Sequence, residues 1–165
     1  MAAEKTPMTL RSHTKLQEEL HRLKSVERKK ASDAIGVARD HGDISENAEY
    51  EAAKDAQGHL EARIRLLESR LATAQVIDIS KLSGTKVVFG ATVEISDIDS
   101  GESRKITIVG EDEANPDKSL ISYVSPLARA LIGKEVNDIA KVKLPSGEKE
   151  YEILSLSFLE SIIDS

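Results

Sequence analysis

Asp43, Glu46 and Glu49 stand at spacing three within HGDISENAEYEAAKDAQG, residues 41–58, with alanines behind them. Carboxylates so placed have two uses. At a helix start, an N-cap oxygen and a Glu three residues on form a capping box, here Asp43 with Glu46. Glu49, one turn later, would sit well at the positive end of the helix dipole. The same spacing also projects two carboxylates from one face, where they can converge on one ion. Magnesium suits such an open pair, because it keeps several waters and takes only one or two protein carboxylates beside substrate phosphates. A pair that open holds an ion poorly alone and is better suited to completing a site that another molecule half builds. The local pattern by itself favours the cap.

The other constellations are weaker. His13, His21, His41 and His59 lack the spacing of a metal site beyond two remote pairs, and there is no cysteine to assist them. His41 lies beside the acidic stretch, with a ligand or base role the lesser reading. The chain has no P-loop and no G-x-G-x-x-G. EDEANPD, residues 111–117, lacks the alternating ligands of an EF-hand and reads as a solvated turn. Tyr50, Phe89, Tyr123, Tyr151 and Phe158 are too sparse for a base-stacking platform, and a net charge of −6 opposes general attraction to phosphate backbones. The basic cluster HRLKSVERKK, residues 21–30, reads as a solvated helix face. Any nucleic-acid contact has to be local or arranged by a partner. Without cysteine, an apolar leader or an apolar run of membrane length, the expectation is a soluble cytoplasmic protein with no membrane contact and no stable small-molecule ligand.

The elements that must position the carboxylates are legible in the spacing of apolar residues. From Leu10 to Val76 there is no proline. Leu16, Leu20 and Leu23, then Ala31, Ala34, Ile35 and Ala38, mark one arm. Ala53, Ala56, Leu60, Ile64, Leu67, Leu71 and Ala74 mark a second. This is a narrow helical seam of coiled-coil type. Between the arms, Gly42 is a C-cap candidate and Asp43 and Ser45 are N-cap candidates. So short a connection implies an antiparallel hairpin, with arms of about 30 residues and therefore about 45 Å. Both seams pass from leucine to alanine toward the turn, which makes the rod slimmest at its tip.

After VIDISKL, residues 76–82, the period changes. KVVFGATVEIS, SRKITIVG, SLISYV, IAKVKL and KEYEILSLSF are β-rich, and DIDSGE, DEANPDKS and LPSGE separate them as turns. SPLARALIGK reads as one short helix with Ser125 as N-cap, Pro126 in its first position and Gly133 at its end. The expected class is α+β. A coiled-coil hairpin spans residues 1–78, with its tip at about 41–50. A linker over 79–84 follows, then a small antiparallel β-sheet domain with one short helix over 85–160.

These residues resemble the bacterial Gre transcript-cleavage factors. The G-D-x-x-E-N-A-E-Y tip carries the likeness, followed by VVFGATVEI, IVGEDEAN, LISYVSPLARALIGK and PSGEKEYEILSLSF, in order over roughly residues 8–159. The resemblance implies an FKBP-like C-terminal domain that docks at the rim of the RNA polymerase secondary channel. It also implies a hairpin that reaches down that channel to the 3′ end of backtracked RNA. There Asp43 and Glu46 would help hold a second Mg2+ and the attacking water, while polymerase's own active site cuts the transcript. On the same basis Asn47, Glu49 and Tyr50 support the tip, Arg39, Lys54 and Arg63 are candidates for RNA contact, and Ser125 and Pro126 for polymerase docking. The balance of acids and bases over residues 51–68 resembles GreA-type members rather than the more basic GreB type. A channel-binding inhibitor on the same scaffold is the alternative. Inhibitory relatives depart at the tip, where this chain keeps Asp43 and Glu46. An autonomous nuclease would need a closed carboxylate cluster. An isomerase would need an aromatic-lined pocket, and the second half of the chain is poor in aromatics.

Overall fold

Leucines and alanines at heptad spacing wind into the two expected arms. The computed structural model describes residues 5–41 and 47–158, and it divides into two units. One is built chiefly on residues 13–74, the other on residues 6–12 and 75 onward. In the first, α1 (Leu10–Arg22), a π-helical turn (Leu23–Glu27) and α2 (Arg28–Asp40) form one arm, and α3 (Ala48–Ala72) forms the other. The 25 residues of α3 give about 38 Å at 1.5 Å per residue, shorter than the expected arm. Leu23, Ile64 and Leu67 are buried at the seam, flanked by Leu16, Leu20 and Leu60.

The π turn changes which residues face inward. Seam residues of the first arm fall at Leu16, Leu20, Leu23, Glu27, Ala31, Ile35 and Ala38, all at least half-buried. An unbroken heptad from Leu16 would bring Lys30, Ala34 and Val37 inward instead, and all three are exposed. The Arg28 N–H reaches back five residues to the Leu23 carbonyl, so the wide turn absorbs one residue and shifts the phase. Ser25 Oγ donates to the His21 carbonyl at 2.7 Å beside it. In α3, Gln57 is half-buried at the heptad position and Ala56 is exposed. Ala34 and Ala56 are therefore not seam residues as expected.

Ion pairs lace both flanks of the seam. Arg28 grips Glu61 with two bonds of 2.9 Å, Lys24 lies 3.4 Å from Glu68, and Arg63 holds Glu19 at 3.0 and 3.1 Å. The hydrogen bond from Arg28 holds the Glu61 carboxyl below its ordinary value. A lowered folded-state pKa contributes stability that is present above the unfolded-state value and is lost as pH falls through the folded one. Thermal melts of Glu61→Gln should therefore show a flatter loss of helix between neutral and acid pH than wild type. Equal slopes would mean that the pair contributes nothing.

The second unit takes in residues 6–12 as well as those from 75 onward. β1 (Thr6–Thr9) pairs with β2 (Ala74–Ile77) in a two-stranded sheet. Glu113 Oε1 accepts from the Thr9 N–H at 3.1 Å and the Thr9 hydroxyl at 3.0 Å, and Thr9 Oγ1 accepts from the Ser12 N–H. A Cβ at Gly110 would stand 3.3 Å from the Pro7 carbonyl, so glycine suits this close approach. The compact units thus divide differently from the expected segments: residues 6–12 and 75–78 join the C-terminal unit because they carry this pairing.

The larger sheet runs β5-β4-β3-β7-β6, from β3 (Thr92–Asp97), β4 (Ser103–Val109), β5 (Leu120–Ser122), β6 (Ile139–Leu144) and β7 (Gly147–Ser157). It is antiparallel as expected except at one edge, where β4 and β5 pair in parallel. Two 3-10 turns, Glu111–Glu113 and Pro116–Lys118, carry the chain back between them, a route that a tight hairpin cannot provide. α4 (Pro126–Leu131) buries Ala128 and Leu131 in a core with Val87, Val93, Ile95, Ile106, Ile108 and Ile153. KVVFGATVEIS yields a strand only from Thr92. Gly90, at φ 91°, lies so close to Ile79 and Leu82 that a Cβ would meet them at 3.0 to 3.1 Å. No helix among the described residues is long and apolar enough to cross a membrane.

Candidate functional site

The hairpin's described ends converge on one side chain. Asn47, in extended conformation, is the N-cap of α3: its Oδ1 accepts the Tyr50 N–H at 3.0 Å. Its Nδ2 donates across to the Ala38 carbonyl in the last turn of α2. The two partners fix the amide's orientation, since a flipped amide would set donor against donor and acceptor against acceptor. One amide therefore satisfies an orphan donor of α3 and adds a second donor to the Ala38 carbonyl of α2, which also accepts the His41 N–H at 3.3 Å.

Asp43, Glu46, Gly42 and Ser45 lie outside the described residues, but α3 begins at Ala48 with Asn47 as its cap. The N-cap of α3 is thus Asn47 and not Asp43 or Ser45, while the expected box between Asp43 and Glu46 lies outside the described residues. Asparagine is among the strongest N-cap residues, so a usable signal was present. It was masked by the acidic residues just before it. Glu49, together with Glu51, lies in the first turn of α3 as expected.

A second contact joins the arms where His41 Nδ1 and Glu49 Oε2 meet at 3.0 Å, both side chains more than half exposed. So exposed a pair contributes at most about 1 kcal/mol, and its value is geometric. Tyr50 is half-buried one heptad step before the alanine seam of α3.

The three basic candidates separate. Residues one past a seam position pair across the arms, Arg28 with Glu61 and Lys24 with Glu68, and so share one side of the rod. Arg39, next after Ala38, and Lys54, next after Ala53, fall on that side and are exposed. Residues one before a seam position, such as Glu19 and Arg63, share the other side. His41 and Glu49 bond on that other side as well. Arg63 is thus turned away from Arg39 and Lys54 and engaged by Glu19. An RNA contact through it would have to displace a two-bond ion pair.

In the second unit, Ser125 and Pro126 open α4 as expected. Ser125 Oγ accepts the Ala128 N–H at 3.2 Å, while the Pro126 ring is exposed. Of the two, the ring is the group open to a partner. Phe89 and Tyr123 nearby meet edge to face with centroids 5.8 Å apart.

Among the described residues no group of three or more His, Cys, Asp or Glu is arranged to hold a metal. The donor chemistry of Asp43 and Glu46, two hard oxygen ligands, fits magnesium as a partial set. An octahedral ion would take its remaining ligands from water and from another molecule.

Family models cover nearly all of this framework. Residues 6–76 match the model described as transcription elongation factor, N-terminal, and residues 82–158 match that of transcription elongation factor, GreA/GreB, C-term. The chain belongs to the GreA/GreB family of transcription elongation factors. Within it the chain is of the GreA type. It is 54% identical over 156 residues to transcription elongation factor GreA of Methylococcus capsulatus, covering 94% of this chain and 99% of that one. It is 53% identical over 155 residues to GreA of Hyphomonas neptunium, with 94% and 99% covered. Among solved structures, GreA factor homolog 1 of Thermus thermophilus aligns over 93% of this chain and 99% of its own at 28% identity, with a TM-score of 0.43.

Proposed function

We propose that this elongation factor enters the secondary channel of RNA polymerase and stimulates cleavage of the 3′ end of backtracked RNA by polymerase's own active site. The observation that carries the reading is the cap. Asn47, and not Asp43 or Glu46, is the N-cap of α3, which supports reading the two carboxylates as ligands rather than as that helix's cap. Bound there, magnesium would supply charge neutralisation at the attacking and leaving oxygens of a phosphodiester. The chain's own part is to bring Asp43 and Glu46 to the 3′ end as oxygen donors and to orient water between them. Arg39 and Lys54, on one side of the rod, would lie along the extruded RNA, each adding a modest, salt-sensitive contact. Pro126 would dock at the channel rim, with Ser125 holding α4 in shape beneath it. The factor lends ligands and polymerase breaks the bond.

The test is a backtracked polymerase complex carrying 3′-labelled RNA, given the factor and magnesium. Release of a labelled dinucleotide or trinucleotide, absent without polymerase, is the expected result. If the bound factor slows elongation without releasing label, the inhibitor reading replaces this one. If it cuts free RNA by itself, the factor is a nuclease.

A further inference from the structure

We propose that Asn47 is a positioning residue for cleavage, and that it acts through its bond to the Ala38 carbonyl rather than through its cap on α3. The inference rests on the cleavage reading above. Its structural half stands on three contacts: Asn47 Nδ2 to the Ala38 carbonyl, Asn47 Oδ1 to the Tyr50 N–H, and His41 to Glu49. Residues 41 and 47, which bound the segment carrying both carboxylates, are each tied to the opposite arm. His41 reaches Glu49 of α3, and Asn47 reaches Ala38 of α2.

The two braces differ in strength. The His41 pair is exposed, so water competes for both partners. Asn47 and Ala38 are less accessible, Ala38 being 1% exposed, so water competes less for this bond. The Ala38 carbonyl keeps the His41 N–H at 3.3 Å when the amide is lost, and what is lost is the tie between the arms. Ala38 is also the last buried seam residue of α2, so a bond to its carbonyl fixes the end of α3 to the end of the packed core. Two carboxylates that must meet an ion held mainly elsewhere depend on such fixing. Loss of a supporting hydrogen bond around a metal site typically costs 10- to 100-fold.

Asn47→Ser separates the roles, because serine caps a helix as well as asparagine does but is too short to reach across to Ala38. At saturating factor, Asn47→Ser is expected to lower the rate of RNA release about tenfold and to raise the magnesium concentration for half-maximal rate. The factor concentration for half-saturation and the thermal melt should stay near wild type. Asn47→Ala should add a loss of helix stability. A Ser variant that cleaves like wild type through the magnesium titration would overturn the proposal. So would a loss in Ser accompanied by an equal loss of helix, because capping alone would then account for it. A second readout needs no polymerase. Spin labels at the exposed positions Val37 and Glu51 should give a narrow distance distribution in wild type and a broader one in Asn47→Ser. Equal widths would also overturn the proposal. Should wild type itself release no RNA, the cleavage reading fails, and the dipolar measurement still decides whether the amide braces the tip.

Discussion

Asp43→Ala and Glu46→Ala are each expected to lower stimulated RNA release on the order of 100-fold while leaving the factor's hold on polymerase unchanged. The size follows from the role. In the proposed role, a carboxylate that completes the shell of an ion at the reacting phosphate acts on charge that develops in the transition state, where a preorganised group counts most. Each substitution removes one of only two donors, so excess magnesium should recover part of the rate in either single variant and almost none in the double. Binding is measured separately, by competition between the variant and labelled wild type for polymerase. The cap on Asn47 sharpens the stability expectation. Since the N-cap of α3 is Asn47 rather than residue 43 or 46, each variant should melt within about 0.5 kcal/mol of wild type. A drop near 1 to 2 kcal/mol with cleavage intact would restore the capping box and remove the carboxylates from the chemistry.

The sequence conveyed most where a pattern is local and repeated. The heptad of α3, the strand Ile139–Leu144 and the cap and proline of α4 follow from spacing that any neighbourhood would respect. What was hidden depends on distant partners. β1 is four residues with little signal of its own, and it becomes a strand because β2, nearly seventy positions later, and the Glu113 carboxylate receive it. The parallel pairing of β4 and β5 depends on how residues 110–119 fold back, which alternation of apolar residues does not encode. At the tip, three good N-cap residues lie within five positions, and propensity cannot rank them. The choice of Asn47 turns on the Ala38 carbonyl, a group on the other arm. Family resemblance supplied the functional reading of Asp43 and Glu46, since composition and spacing alone pointed to a cap.

Ile64→Ala should destabilise the hairpin by about 2 to 5 kcal/mol, the largest stability effect expected in the chain's first unit. Ile64 and Leu67 are wholly buried, and with Leu23 they are the seam's leucine-rich centre, so a cavity there has few neighbours able to fill it. The flanking ion pairs are solvent-screened and too weak to offset that loss. Urea unfolding followed by helical ellipticity should show the midpoint fall. Release of RNA should fail at temperatures where wild type still works, because an unwound arm cannot present its tip. A companion pair tests the phase of the first arm. Ile35→Ala should cost about 2 kcal/mol or more, and Ala34→Gln almost nothing, because the π turn places Ile35 inside and Ala34 outside. In an unbroken heptad the order reverses, with position 34 in the seam and a glutamine there costing more than the loss of Ile35. Such a reversal would mean that Leu23–Glu27 winds as ordinary α-helix, and that the upper arm, Arg39 included, faces a different side of the rod from Lys54.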